Sequence, residues 1–282
     1  RRAHVPLEHA DHVGIGPQKA HQHLIYDQPA LGARNMAVDE AILQAVSAGD
    51  ALPTLRLYAW DPFCLSLGYA QAEADLDAAR LATYGWHTVR RPTGGRAILH
   101  GDELTYSVTV PVDHSLADGD ILASYRAISI GLLDALKMLG AQPQSELHPE
   151  SQQVVKGPVC FEVPSHYEIT SGARKLIGSA QVRRSKGILQ HGSLPLYGDV
   201  TRICEVLHFD TEAQRATARN RVRERAITLE GAAGRRIEWE EAAAAVAAAF
   251  AQRFSLNWQE SGLSASEEAR AAQLEAEQYG SP

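Results

Sequence analysis

The chain is poor in sulfur and in aromatic rings: three cysteines, two methionines and 6% Phe, Trp and Tyr among 282 residues. Cys64, Cys160 and Cys204 are odd in number and include no CxxC pair. That disfavours a disulfide framework or a zinc cluster and favours a reducing compartment. No apolar run is long enough to span a membrane. No segment has the charged start and apolar centre of a signal peptide, so a cytoplasmic setting is expected. Positive charge is in deficit, with a net charge of −7. This argues against a dedicated nucleic-acid binder, although a local basic patch would not show in the sum. No internal repeat stands out.

What is present is ordinary for a globular protein with a sizeable core: 45% apolar and 22% charged residues. The length allows one large or two modest domains. Residues 1–23 lack periodicity and read as a flexible extension. Their five histidines (His4, His9, His12, His21, His23) have no acidic or cysteine partners at regular spacing, so no metal is expected there. The fold is expected to begin at Leu24. Asn35–Ala48 and Ile121–Leu139 carry helical periodicity, the second with Ile121, Tyr125, Ile128, Leu132, Leu136 and Leu139 on one stripe. Strands are expected at Thr54–Ala59, Cys64–Tyr69 and His87–Arg91. Ala97–His100 and Leu104–Val110 read as a pair around Gly101-Asp102. Ala141–Gly157 reads as a polar segment. After Leu196 the pattern turns to helices and polar loops, including Glu238–Phe254 and a last helix opened by a Ser264/Glu267 capping box. Adjacent strands with helices around them indicate an α+β fold rather than a regular βαβ repeat.

The stretch Cys160–Gly192 organises the rest. Tyr167–Thr170, Lys175–Val182 and Ile188–Leu196 read as a three-stranded meander, with turns at Ser171-Gly172 and Ser185-Lys186-Gly187. This register sets Glu168 opposite Lys175. Small residues at Gly178 and Ala180 leave room for a ligand beside the strand. Cys160 sits between Pro158 and Pro164, in an irregular loop. It admits two readings, a small buried apolar group or a loop thiol made reactive by a nearby cation. Lys175 also admits two: an edge lysine that snorkels to solvent, or a cation aimed into a pocket to polarise an acyl carbonyl and stabilise a thiolate. Cys160 lies eight residues before Glu168, roughly 26 Å if extended, so its loop must fold back to meet Lys175. Cys64 and Cys204 read as structural.

A second cluster is the loop Arg90-Arg91-Pro92-Thr93-Gly94-Gly95-Arg96. It lacks the spacing of either GxxxxGK[ST] or GxGxxG. It is either a glycine turn with solvated arginines, the reading the loop alone favours, or a cradle for a carboxylate or phosphate. His100 and His191 each end an apolar run before a glycine, and each fits a pocket wall or a structural hydrogen bond.

Taken together, these segments resemble one family. Asn35-Met36-Ala37-Val38-Asp39-Glu40, Leu65-Ser66-Leu67-Gly68, Arg90–His100 (RRPTGGRAILH) and Lys175–Gln181 (KLIGSAQ) resemble, in order and spacing, the lipoate–protein ligase, octanoyltransferase and biotin ligase superfamily. The resemblance implies a mixed, mostly antiparallel sheet flanked by helices. It places a catalytic domain at residues 24–258 between the extension 1–23 and a helical tail 259–282. Cys160-Phe161, fifteen residues before Lys175, is similar to the cysteine-type octanoyltransferases of the LipM kind. The resemblance implies Cys160 as nucleophile and Lys175 as its activating cation, with Arg91, Gly94, Gly95, His100, Gly178 and Ala180 binding the acyl substrate. It implies octanoyl–acyl carrier protein as donor and a lipoyl-domain protein (glycine-cleavage H protein or an E2 subunit) as acceptor. No cofactor, metal, nucleic acid or membrane is implied. The alternatives are an amidotransferase between carrier proteins, an ATP-dependent lipoate ligase and a non-catalytic acyl-binding protein.

Overall fold

The computed structural model describes residues 20–147 and 167–280. In chain order the first half contains β1 (Ala20–Tyr26), α1 (Gly32–Ala48), β2 (Thr54–Tyr58), β3 (Cys64–Leu67), α2 (Ala78–Tyr84), β4 (His87–Arg90), β5 (Ile98–His100), β6 (Glu103–Pro111) and α3 (Ile121–Met138). The second half contains β7 (Gln144–Leu147), β8 (Tyr167–Ser171), β9 (Arg174–Arg183), β10 (Gly187–Pro195), α4 (Glu212–Arg225), α5 (Leu229–Ala233), α6 (Trp239–Phe254), β11 (Leu256–Glu260) and α7 (Ala265–Leu274). Eight strands form one sheet in the order β11-β1-β2-β6-β10-β9-β8-β7. β1 runs parallel to β11 and β2, and every other neighbour is antiparallel. This is the mixed, mostly antiparallel sheet expected from the sequence. Three short strands form a second sheet, β4-β3-β5. Among the described residues no helix is long and apolar enough to cross a membrane.

The central strand β6 shows how the layers are set. Alternate residues of a strand point to opposite faces. Leu104, Tyr106, Val108 and Val110 join the core under α3 and α6, with Ile128, Leu132, Leu136, Val246 and Phe250. Full burial of each such aliphatic side chain contributes about 1.5–3 kcal/mol. Glu103, Thr105, Ser107 and Thr109 are equally buried but face the other way, toward α1 and the small sheet. The sheet is therefore apolar on one face and polar on the other. Helix α1 covers the polar face, and α7 packs behind it, where Ala271, Leu274 and Tyr279 join Met36, Ile42 and Val46. The Ser264/Glu267 capping box opens α7 as expected.

Several local expectations are corrected. β5 and β6 do not pair: β5 joins β3 in the small sheet, while β6 lies between β2 and β10. Gly101 turns the chain between the two sheets, with Phe63 so close that a Cβ there would meet its ring at 2.4 Å. The β8–β9 turn falls at Gly172-Ala173, both at positive φ (57° and 59°), one residue later than expected. Lys175 consequently pairs with Thr170 instead of Glu168, and a bulge follows, so that Ile169 pairs with Ile177. Ile121 is 56% exposed because it sits in the first turn of α3, short of the buried stripe. β7 lies inside what reads as a polar segment, and β1 takes in Ala20–His23. His21 and His23 are thus strand residues, whereas His4, His9 and His12 lie outside the described residues.

The polar face is held by a buried ion pair. Arg56 on β2 and Asp39 on α1 both have side chains with no solvent exposure, and Arg56 Nη1 lies 2.8 Å from Asp39 Oδ1. Arg56 also donates to Asn35 and Asp27, and its guanidinium lies over the Tyr58 ring. Asp39 also accepts from Tyr58 Oη and Ser107 Oγ. Breaking such a pair strands the surviving charge in the interior. Asp39→Ala is expected to destabilise the fold by about 3–5 kcal/mol in chemical denaturation; a loss below about 1 kcal/mol would contradict this role.

Candidate active site

Gly178 and Ala180 on β9 stand opposite Ser193 and His191 on β10, which stand opposite Thr105 and Ser107 on β6. Thr105, Gly178, Ala180, His191 and Ser193 form the floor of a pocket on the polar face. Gly95, Ile98 and His100 roof it, and Met36, Tyr58 and Trp60 close its side. The pocket is narrow, with a cavity volume of about 30 Å³. Of the residues expected to bind acyl substrate, Arg91, Gly95, His100, Gly178 and Ala180 line it. Gly94 does not; its carbonyl instead accepts a hydrogen bond from Arg91. Arg91 also borders a larger groove, about 560 Å³, between the small sheet, α2 and Tyr279.

The roof loop is fixed from within. Arg91 is buried and donates to the carbonyls of Ser66, Gly94 and Arg96 and to Ser66 Oγ. Arg90 donates to the carbonyls of Gly68, Tyr69 and Gln71 and pairs with Glu73. The solvated-arginine reading is therefore wrong: both guanidinium groups shape the loop. The loop passes so close to β3 that a Cβ at Gly68 would lie 2.0 Å from the Gly95 carbonyl oxygen.

Two histidine relays connect the roof to the sheet. His191 Nδ1 lies 3.2 Å from Asp39 Oδ2, and its Nε2 lies 2.7 Å from Thr93 Oγ1. A carboxylate only accepts, so Nδ1 carries the proton and Nε2 accepts from Thr93. His100 Nδ1 lies 2.6 Å from Glu103 Oε1, and Nε2 lies 2.6 Å from Ser66 Oγ. His100 also stacks on Trp60 at 3.9 Å, and Trp60 Nε1 donates to Thr105. Ser66–His100–Glu103 has the connectivity of a nucleophile–base–acid relay. Ser66, however, is fully buried within β3 and its oxygen is held by Arg91. The relay therefore positions groups and offers no nucleophile. Cys64 is likewise sealed in β3, where burial pushes its thiol up.

Electrostatics follow from these contacts. Burial alone would raise the Asp39 carboxyl, but the His191 hydrogen bond and the Arg56 charge outweigh it and hold it below its usual range. Burial opposes ionisation of Glu103 too, and His100, Ser193 and Thr105 together hold it low. Burial pushes the His191 imidazole down against the pull of Asp39. Lys175 is buried, 5% exposed, and its Nζ lies 2.9 Å from Glu168 Oε1. β9 lies between β8 and β10, so Lys175 is not a snorkelling edge residue. It stands three residues before Gly178 on the same strand, roughly 10 Å along the backbone. Cys160 lies outside the described residues. Among the described residues no cluster of histidine, cysteine, aspartate and glutamate could hold a metal ion.

Comparison with known proteins gives this arrangement a family. Residues 32–251 match the lipoyl protein ligase A/B catalytic domain. The chain belongs to the lipoyl protein ligase A/B family. It is 40% identical to octanoyltransferase LipM of Kyrpidia tusciae, over 89% of this chain and 93% of that one. It is also 40% identical to octanoyltransferase LipM of Carboxydothermus hydrogenoformans, over 88% and 92%. A solved bi-partite lipoate protein ligase from Thermoplasma acidophilum superposes with a TM-score of 0.78 at 24% identity, covering 93% of this chain and 94% of that one. That likeness shows that the fold is shared.

Within this ligase-family fold, some parts of the pocket escape sequence reasoning. Asp39, Arg56, Thr93 and Glu103 received no role from the sequence. The signal for Glu103 was the alternation of Glu103, Thr105, Ser107 and Thr109 in a strand whose other face is wholly apolar.

Two outcomes are expected for this ligase-family domain. Gly68→Ala should displace the roof loop and weaken acyl binding at least tenfold while leaving the circular dichroism spectrum intact; unchanged binding would contradict the close packing. Stability should depend on pH through the buried groups. The unfolded chain protonates His191 near pH 6.5 while the folded form resists, so stability declines below about pH 6.5. Asp39 and Glu103 stabilise fully above their unfolded values of about 3.9 and 4.3, and that contribution is lost as pH falls through their lower folded values. Thermal unfolding of wild type and His191→Gln between pH 7 and 5 checks the first stage. The wild-type decline should be shallower in the variant; equal slopes would contradict it.

Proposed function

We propose that the chain transfers an octanoyl group to a protein lysine in lipoate biosynthesis, through a thioester on Cys160. Octanoyl transfer rests on the LipM octanoyltransferases, about 40% identical over most of the chain. The observation that carries the site reading is the pocket itself. It gathers residues from the arginine–glycine loop and from the Lys175–Gln181 strand around one mostly apolar pocket, which supports a site for an acyl chain.

The donor is octanoyl–acyl carrier protein. The Cys160 thiolate attacks the thioester carbonyl and expels the carrier's thiolate, leaving octanoyl on Cys160. The acceptor is a lipoyl domain, of an H protein or an E2 subunit. Its lysine amine attacks the acyl-enzyme, the C–S bond breaks, an amide forms, and the amine's proton leaves with the sulfur. Thioester to amide is downhill, so no ATP enters. Lys175, held by Glu168 at 2.9 Å, stabilises the thiolate and the charge developing on the carbonyl oxygen. Arg91, Gly94 and Gly95 hold the pocket roof. His100, Gly178 and Ala180 flank the acyl chain.

Intact mass spectrometry tests the step. Mixing with octanoyl–carrier protein should add one octanoyl group to the wild-type chain and none to Cys160→Ser. Lys175→Met should form the same adduct about 100-fold more slowly. An adduct that survives in Cys160→Ser, or full activity of that variant with lipoate and ATP, would overturn the reading.

A further inference from the structure

We propose that the Thr93–His191 hydrogen bond fixes the width of the pocket at its inner end and so selects a plain, unbranched acyl chain over one that ends in a ring. The inference rests on the acyl-transfer reading above and names the acyl class that the same site prefers.

Each histidine relay carries one contact from the roof to the large sheet. His100 and Glu103 are three residues apart, across the Gly101 turn where the chain passes from one sheet to the other. Their contact closes the edge at which roof and floor are already joined by the chain. Thr93 Oγ1 and His191 Nε2, 2.7 Å apart, are separated by 98 residues. This bond ties the roof loop down to β10, away from that turn. Both residues are buried, and neither partner is loosely held. Asp39, locked to Arg56, holds His191 from behind. The Thr93 carbonyl accepts from Tyr69 N at 2.9 Å, and Arg91 fixes the carbonyls of Gly94 and Arg96 that follow.

The register places this bond over the tail of the substrate. On β9 and β10, Gly178 stands opposite Ser193 and Ala180 opposite His191. With its carbonyl toward Lys175, an acyl chain passes Gly178 first and reaches Ala180 last. Ala180 lies roughly 17 Å along the strand from Lys175. The Thr93–His191 bond is therefore remote from the carbonyl chemistry and close to where the chain ends.

Width is scarce at that point. The cavity of about 30 Å³ has room for about two waters. Gly178 and Ala180 have no long side chain that could swing aside, and close-packed interiors yield little. A polymethylene tail is the slimmest an acyl chain can have. A lipoyl tail has the same carbons, closed at the far end by a disulfide ring, and is wider. Seating the ring requires Thr93 and His191 to part, which leaves a buried ring nitrogen and a buried hydroxyl without partners, and such groups are costly. The penalty falls on the ring-ended chain and spares the plain one. Thr93 and His191 are thus positioning residues that act on selectivity.

The test uses the octanoyl and lipoyl thioesters of N-acetylcysteamine, which differ only in the tail. Acylation of Cys160, followed by intact mass, gives a maximal rate and a half-saturating concentration for each. The wild-type chain should favour octanoyl. Thr93→Val removes the hydroxyl at nearly constant shape. It should lower the half-saturating concentration of the lipoyl thioester at least fivefold, with both maximal rates within twofold and octanoyl half-saturation within threefold. Thr93→Ala should relax the preference at least as far, and Thr93→Ser should restore it. An unchanged preference in both Thr93→Val and Thr93→Ala overturns the proposal, as does an equal change for the two tails or a change in maximal rate alone. Thr93→Ser behaving like Thr93→Val overturns it too. If neither Thr93→Val nor Thr93→Ala folds, the bond serves the fold and not the choice of chain, and the proposal falls. No adduct in the wild-type chain from either thioester removes the acyl-transfer reading itself, whereas adducts formed equally well from both overturn this proposal alone.

Discussion

The whole polar face depends on the Arg56–Asp39 pair. Two charges removed from water carry a desolvation cost of several kcal/mol each, and Coulomb attraction offsets it only if the remaining hydrogen bonds are made. Here they are made. Asp39 accepts from Arg56, Tyr58, Ser107 and His191, and Arg56 donates to Asn35 and Asp27 as well. These partners come from α1, β2, β6 and β10 and from Asp27 just after β1. One carboxylate therefore fixes the distance between the first helix and three adjacent strands.

From that fixed point the order reaches the pocket. His191 carries it from Asp39 to Thr93, in the roof loop. Glu103 does the same through His100 to Ser66 and Arg91. The pocket, the proposed acyl site, thus has polar walls whose hydrogen bonds are largely turned inward. Most of what faces the volume is glycine, alanine, ring faces and aliphatic carbon. Walls fixed in this way leave an apolar chain few unpaired polar groups to bury. The pair Lys175–Glu168 is the exception, since it brings charge to the β8–β9 side of the same sheet.

The sequence made much of this legible. Alternation showed β6 and β9, periodicity showed α1 and α3, and the Arg90–Gly95 loop and the Lys175 segment were recognised as paired motifs. The same reading missed what spacing does not encode. Arg56 in TLRLY drew no role because nothing in the strand itself marks its partner; Asp39 lies on α1, some twenty residues earlier. The β8–β9 register slipped because Ala173, not Ser171, takes a left-handed turn position, and alternation does not reveal a bulge. The pairing of β5 with β6 failed because adjacency in sequence outweighed the turn at Gly101, which sends them to different sheets. Helix α4 was invisible as an element because its buried side is reduced to Arg215, Ala218 and Val222.

A crystal structure of the octanoylated chain puts the central claim to its most direct trial. The account requires the eight-carbon chain between Gly178 and Ala180 below and Gly95 and His100 above, with its carbonyl toward Lys175. A chain lying in the groove beside Arg90 and Tyr279, or under α3 on the apolar face of the sheet, would contradict it.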